Sequence, residues 1–258
     1  MARPWEEDFD FYMSQMGGDP LGVMVDLGAG RHVPVETHNV RLRLMVHMKN
    51  PMPNGLRSRE ESSELFALED RLCDALAERL DALMVGRVTV HGVTDVVFYA
   101  PGAAVGQLEQ LRELVDGVRG DYDIDIDVTP DVTWEFYREV LWPDTYEHQF
   151  IMSNRVLRQL EEAGDDPAAA RAVDHLVFLP DRAAADRAAA GLREAGFTIP
   201  DPEQDEDGSF RIDFQDETRL DDGRIHERVA AILDVVLPLQ GSYDGWGCMV
   251  VQGEPERN

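Results

Sequence analysis

The stretch VRLRLMVHM (40–48) alternates between two sets of side chains. One set is entirely apolar: Val40, Leu42, Leu44, Val46 and Met48. The other set consists of Arg41, Arg43, Met45 and His47. Because successive side chains of a β-strand point to opposite faces, this period of two predicts a strand with one face on a hydrophobic core.

An amphipathic helix is predicted next, in SREESSELFALEDRLCDALAERLDALM (58–84). Its leucines recur at helical intervals, and acidic residues occupy the first turn, where the helix dipole favours them. The leucines are Leu65, Leu68, Leu72, Leu76 and Leu80.

The remaining patterns give the same order of elements twice. In the first half, strands at 86–91 and 93–100, a helix at 106–118 and a strand at 122–128 follow, with a hairpin (about 8–12 and 21–27) in front of the whole set. In the second half, the predicted strands are 171–179, 197–200, 209–215 and 247–252, and the helices are 181–195 and 222–237. Each half therefore reads strand, helix, strand, strand, helix, strand.

This order is that of the split βαβ unit. We predict an α+β protein made of two ferredoxin-like (βαββαβ) sandwiches in tandem, each a four-stranded antiparallel sheet with two helices on one face. The predicted domains are residues 1–148 and 149–258.

The topology also predicts a charged ladder, because the first and fourth strands of such a sheet are antiparallel neighbours. The polar face of the first strand would meet the aspartates of YDIDIDV (122–128). We expect Arg43 opposite Asp125 and Arg41 opposite Asp127, where opposite charges stabilise the pairing.

Net charge narrows the classes of partner. The 258 residues include 51 Asp and Glu against 24 Lys and Arg, a net charge of −27. Such a surface repels phosphates, which disfavours direct nucleic-acid binding. A basic or Arg-rich protein would be attracted and steered, although solubility alone would also explain the acidity.

Localisation follows from hydropathy. No apolar run approaches the roughly 18 residues that a membrane span needs, and MARPWEEDFDFY (1–12) lacks the basic and apolar regions of a signal peptide. We expect a cytoplasmic protein without membrane contact.

Catalytic and metal-binding patterns are not evident in the sequence. The aspartates of 123–127 are spread along a strand, which suits a ladder better than one cation. Cys73 and Cys248 form neither a zinc pair nor a disulfide framework. Gly28-Ala29-Gly30 lacks the third glycine of a dinucleotide loop. We therefore expect no catalytic residue, cofactor or metal.

The stretch YDGWG (243–247) holds the strongest candidates for partner contact. Asp-Gly predicts a tight turn before the last strand, and Trp246 is expected to close the core, although Trp and Tyr are also enriched in interface hot spots. His175 is expected to be a structural hydrogen-bonding residue on the face of Val173. The candidate partner-binding residues are Asp174, His175, Tyr243, Asp244 and Trp246.

Four stretches follow one another in the second half: NRVLRQLEEAGDD (154–166), RAVDHLVFLP (171–180), AGFTI (195–199) and YDGWG (243–247). Through them the second half resembles the regulator of ribonuclease activity B family of bacterial ribonuclease E inhibitors. The first half resembles an uncharacterised domain often fused ahead of it, through GLRSREESSELFALEDRL (55–72), VGRVTVHG (85–92) and TWEFY (133–137). The resemblance implies a ferredoxin-like fold and a non-enzymatic protein that binds the regulatory region of ribonuclease E and restrains RNA cleavage.

The leading hypothesis is an acidic regulatory protein, not an enzyme, that inhibits or modulates an RNA-decay ribonuclease by docking on its basic region. One alternative is a small-molecule enzyme with a cleft between the domains, lined by Arg171, Asp174 and His175. Another is an immunity-type protein that neutralises a basic toxin.

Overall fold

The computed structural model describes residues 3–102 and 108–252. Backbone contacts divide the chain into two compact units, Met1–Pro143 and Asp144–Asn258. The protein is α+β, and its two antiparallel sheets have six and four strands among the described residues.

The first unit holds the six-stranded sheet, whose strand order is β1-β2-β4-β5-β3-β6. The strands are β1 (Phe9–Met16), β2 (Asp19–Asp26), β3 (Val40–His47), β4 (Leu83–Val90), β5 (Val93–Ala100) and β6 (Asp123–Pro130). The helices are α1 (Arg59–Leu80) and α2 (Leu108–Val118), with a 3-10 turn at Leu27–Arg31 and a π-helical turn at Tyr137–Leu141. The predicted start of α2 at residue 106 lies outside the described residues.

The prediction of a four-stranded sheet in this unit is wrong. The N-terminal hairpin extends the sheet because β2 pairs with β4, placing Val23 opposite Val88. That pairing satisfies backbone groups that β4 would otherwise leave open at a sheet edge.

The core of the first unit confirms the two periodic patterns. The five leucines of α1 and the five apolar residues of 40–48 are all buried in one cluster. Helix α1 begins after Ser58, whose hydroxyl accepts a hydrogen bond from the Glu61 N–H at 3.3 Å, so the first turn is capped.

The charged ladder forms in a different register. Strands β3 and β6 are antiparallel neighbours, as predicted, but Arg41 lies opposite Thr129 and Arg43 opposite Asp127. The predicted pairing is therefore shifted by two residues, and neither predicted pair is directly opposed. On this face Arg41 forms an ion pair with Asp127 (3.0 Å) and Arg43 with Asp95 (2.7 Å), and His47 Nε2 forms a hydrogen bond with Asp125 (2.9 Å).

The second unit holds the four-stranded sheet, in the order β10-β7-β9-β8. The strands are β7 (Arg171–Leu179), β8 (Glu203–Gln204), β9 (Phe210–Thr218) and β10 (Ser242–Cys248). The helices are α3 (Thr145–Glu162), α4 (Arg182–Glu194) and α5 (Arg224–Val236), followed by a 3-10 turn at Leu237–Leu239.

Two predicted strands of the second unit are wrong in position. Residues 197–200 form no strand, and the two-residue β8 follows them instead. Pro200 and Pro202 lack the N–H that a strand ladder requires, which keeps this edge short. The last strand is not 247–252 but Ser242–Cys248, so it contains the YDGWG stretch itself.

Candidate partner-binding surface

The YDGWG stretch is a bulged strand, not the predicted tight turn. Tyr243 lies opposite Val177 and Gly245 opposite Leu176, so Asp244 is an extra residue in β10. Gly245 has a φ of +114°, which side-chain-bearing residues rarely adopt. The Asp-Gly pair therefore shifts the register of β10 on β7 without ending the strand.

His175 lies in the core of the second unit, with 1% of its surface exposed. Its Nδ1 lies 2.8 Å from the Tyr243 hydroxyl oxygen in a hydrogen bond, and its ring stacks on Phe214 at 5.2 Å between centroids. Burial lowers the His175 pKa to about 4, so the ring is neutral near pH 7. Its Nε2 has no hydrogen-bond partner among the described residues. Neither His175 nor the buried Tyr243 presents a surface to a partner in this structure.

Trp246 closes one side of the same core. It lies directly opposite His175 in the β7–β10 pair, is partly buried against the core cluster, and donates its indole N–H to the Ser153 hydroxyl of α3 at 2.9 Å. This geometry fits the expected packing role, because a half-buried indole has its polar atom satisfied within the unit.

The two aspartates of the candidate set lie apart from the buried aromatic group. Asp174 is exposed and accepts a hydrogen bond from the Gln215 amide at 2.7 Å. Asp244 is exposed at the bulge. The structure therefore brings His175 and Tyr243 together in the interior, with the half-buried Trp246 beside them, and leaves the aspartates at the surface.

The polar trio of the enzyme hypothesis does not converge on one point. In β7 the side chains of Arg171 and His175 are buried on the helix side, whereas Asp174 is exposed on the opposite face. The Arg171 guanidinium is already bound to the Asp165 carboxylate and the Asp166 carbonyl oxygen.

The exposed face of β7 and β9 forms a surface that we name the acidic sheet face. The helices of this unit pack against the other face, where Val173 and Val177 belong to the core cluster. Leu176 and Phe178 are only half-buried and lie outside that cluster. The acidic sheet face comprises Asp174, Leu176, Phe178, Arg211, Asp213, Gln215 and Glu217.

The register places the apolar and charged side chains of this face side by side. Leu176 lies opposite Asp213 and Phe178 opposite Arg211, and Arg211 is paired with Glu203 at 2.9 Å. A half-buried apolar centre with an acidic rim is the composition expected of a docking surface for a basic partner. Leu176, Phe178 and Asp213 are not among the candidates predicted from the sequence, although Phe210, Ile212 and Phe214 alternate with Asp213 in 209–215.

No group of three or more His, Cys, Asp or Glu side chains within 3–102 and 108–252 is arranged to hold a metal ion. None of the helices in the same ranges is long and apolar enough to span a membrane.

Comparison with known proteins divides the chain at a similar place. Residues 7–142 match the model of a family of unknown function (DUF695), and residues 150–248 match the model of the family Regulator of ribonuclease activity B. The curated Regulator of ribonuclease activity B of Escherichia coli (strain K12) is 28% identical over 109 residues, which cover 41% of this chain and 79% of that protein. Its counterpart from Xenorhabdus nematophila is also 28% identical, over 41% of this chain and 77% of that protein.

The solved structures that were found include one named only as an unknown protein. A crystal structure of an unknown protein from Galdieria sulphuraria is 13% identical and covers 82% of this chain and 99% of its own, with a TM-score of 0.24. At that score the likeness carries no structural argument.

Proposed function

Because the chain belongs to the family of unknown function (DUF695) through residues 7–142 and carries a Regulator of ribonuclease activity B domain at residues 150–248, we propose that it regulates a ribonuclease by binding it. The observation that carries this proposal is the match of residues 150–248, since the relatives that share this region are named for ribonuclease regulation. The protein would act as a binding partner and not as an enzyme.

The partner that we propose is an RNA-decay nuclease of the ribonuclease E type, bound through a basic, Arg-rich region. The net charge of −27 supports this choice, because opposite charges accelerate the encounter and disfavour acidic competitors. The acidic sheet face would be the contact surface. An immunity-type protein that neutralises a basic toxin would use the same charges, and an RNA-cleavage assay separates the two roles.

The finer description of the fold is also a proposal. In each unit the four strands of the βαββαβ series have the fourth strand beside the first: β6 lies next to β3, and β10 next to β7. This order supports a ferredoxin-like arrangement in both units. We propose that the two units are separate domains, with the boundary near residues 143–149.

A charge-reversal experiment tests the docking surface. Asp174→Lys with Asp213→Lys is expected to weaken binding of an Arg-rich peptide from a ribonuclease E type enzyme about tenfold at low salt, because reversing two charges at a contact costs on the order of 1–2 kcal/mol. Fluorescence anisotropy at low and high ionic strength measures the affinity, and the difference should shrink at high salt.

The matched control carries the same change of charge on a helix. Asp186→Lys with Glu194→Lys places it on the exposed side of α4, and this variant should bind within about twofold of the wild type because its charges lie away from the contact. Equal losses in the two double variants would contradict the acidic sheet face as the contact. If the unmodified protein neither binds nor alters RNA cleavage by the nuclease, the proposed function is wrong.

A further inference from the structure

A cavity of about 230 Å³ lies in the first unit, away from the acidic sheet face. Its wall combines apolar side chains with the side chains of two arginines. The residues used below are Phe11, Gly22, Met52, Leu56, Arg57 and Arg87.

The sheet register explains why this space exists. Phe11 lies opposite Met24, and Met24 lies opposite Arg87, so the three form one row across β1, β2 and β4. In the neighbouring row β2 contributes Gly22, which lacks a side chain. A Cβ added to Gly22 would approach the Phe11 ring to 3.2 Å and Leu56 to 3.8 Å. The glycine thus keeps the cavity open.

The two guanidinium groups share one carboxylate. Glu69 of α1 accepts a hydrogen bond from Arg87 Nη1 at 2.5 Å and binds Arg57 with its other oxygen. Both side chains are deeply buried, with 11% of Arg57 and 10% of Arg87 exposed. The Phe66 ring also lies near this pair, with its centroid 5.2 Å from the Arg57 guanidinium carbon.

One hydrogen-bond donor of this cluster has no acceptor within the described part of the chain. Arg57 donates from Nε to the Thr94 hydroxyl at 3.2 Å, but its buried Nη1 has no hydrogen-bond partner among the described residues. Burial and the neighbouring Arg87 lower the Arg57 pKa to about 9, and burial lowers the Arg87 pKa to about 10. Both groups are therefore cations at neutral pH. Glu61 adds a second carboxylate charge that acts on Arg57, and it also accepts hydrogen bonds from the backbone N–H groups of Lys49 and Asn50.

We propose that this cavity binds a small carboxylate with an apolar body. The carboxylate would pair with the guanidinium of Arg57, because planar guanidinium groups match carboxylates. The apolar body would lie against Phe11, Met52 and Leu56. At roughly 30 Å³ per water molecule, the cavity corresponds to about eight waters, which suits a ligand of about eight non-hydrogen atoms. Hexanoate has this size and chemistry.

The experiment titrates the full chain with hexanoate by isothermal calorimetry and by NMR. We expect saturable binding at one site, with hexan-1-ol at least about tenfold weaker because it lacks the charge-assisted hydrogen bond. Inorganic phosphate, which has no apolar body, should also bind more weakly than hexanoate. Equal affinity for hexanoate and hexan-1-ol, or tighter binding of phosphate, would overturn the proposal.

Two variants test the two halves of the site separately. Arg57→Gln should lower hexanoate affinity about tenfold, whereas Arg79→Gln, the same change on the exposed far end of α1, should leave it unchanged. Gly22→Leu should abolish binding by filling the cavity without altering any charge. The exposed Phe11 ring can move aside to admit the new side chain. Thermal unfolding verifies that each variant is folded. Hexanoate binding that survives Gly22→Leu would refute the assignment.

Discussion

Replacing Trp134 with alanine is expected to lower the free energy of unfolding of the first unit by about 3–5 kcal/mol, the range for removing a buried aromatic side chain. Trp134 is fully buried and stacks on Tyr99 at 3.9 Å between ring centroids and 7° between planes. Its indole N–H donates to the His38 carbonyl oxygen at 2.7 Å. The substitution therefore removes apolar burial, a stacked pair and a hydrogen bond together.

Urea unfolding of the full chain, followed by circular dichroism, measures this loss in the transition of the first unit. Trp134→Phe keeps a stacking ring and should cost only about 1–3 kcal/mol, the penalty for leaving a buried carbonyl unpaired. Trp142→Ala is the matched control because Trp142 is 38% exposed. A loss for Trp142→Ala as large as that for Trp134→Ala would contradict the central role of the stacked pair.

The stability of the second unit is expected to fall by about 3 kcal/mol through His175 alone as the pH drops from 7 to 4. Burial holds the folded pKa of His175 at about 4, whereas the unfolded ring titrates near about 6.5. Between these values the unfolded chain takes up a proton that the folded chain does not. The stability that the neutral His175 contributes to the second unit is therefore complete above about pH 6.5, and it is lost as the pH falls through this window.

The variant His175→Phe isolates this contribution from the titration of the carboxylates. The difference in unfolding free energy between wild type and His175→Phe should move by about 3 kcal/mol in favour of the variant between pH 7 and pH 4. Trp246 is the one tryptophan of residues 144–258, so ¹⁹F NMR of the fluorotryptophan-labelled chain reports urea unfolding of this unit.

A second histidine provides the graded control. His226 is half-buried, bonds to Asn154 at 2.9 Å, and has a pKa lowered by burial, so His226→Phe should give a smaller shift of the same sign. Parallel pH profiles for wild type and His175→Phe would show that His175 is not held neutral by the fold.

The candidate site illustrates how far local pattern reaches. Alternation correctly placed His175 on the face of Val173, and the packing interpretation of Trp246 agrees with its contacts. The same local pattern could not show that YDGWG pairs with β7, because Asp-Gly chemistry suits a turn and a bulge equally. The partner strand, about 70 residues earlier in the sequence, decided between them. The acidic sheet face likewise required the β7–β9 register.

The sequence by itself determined which residues are buried and in which order the elements follow, because the periods of strands and helices are local properties. The apolar residues of 40–48 and the leucines of α1 all reached the core. Only the tertiary structure decided in which register the strands pair and which strands lie at the edge of the sheet. A slip of two residues keeps every side chain on its face, so alternation could not distinguish Arg43 opposite Asp125 from the observed Arg43 opposite Asp127. No local signal showed either that the N-terminal hairpin would pair with β4. That pairing brings Phe11 and Gly22 to the cavity that Arg57 also lines.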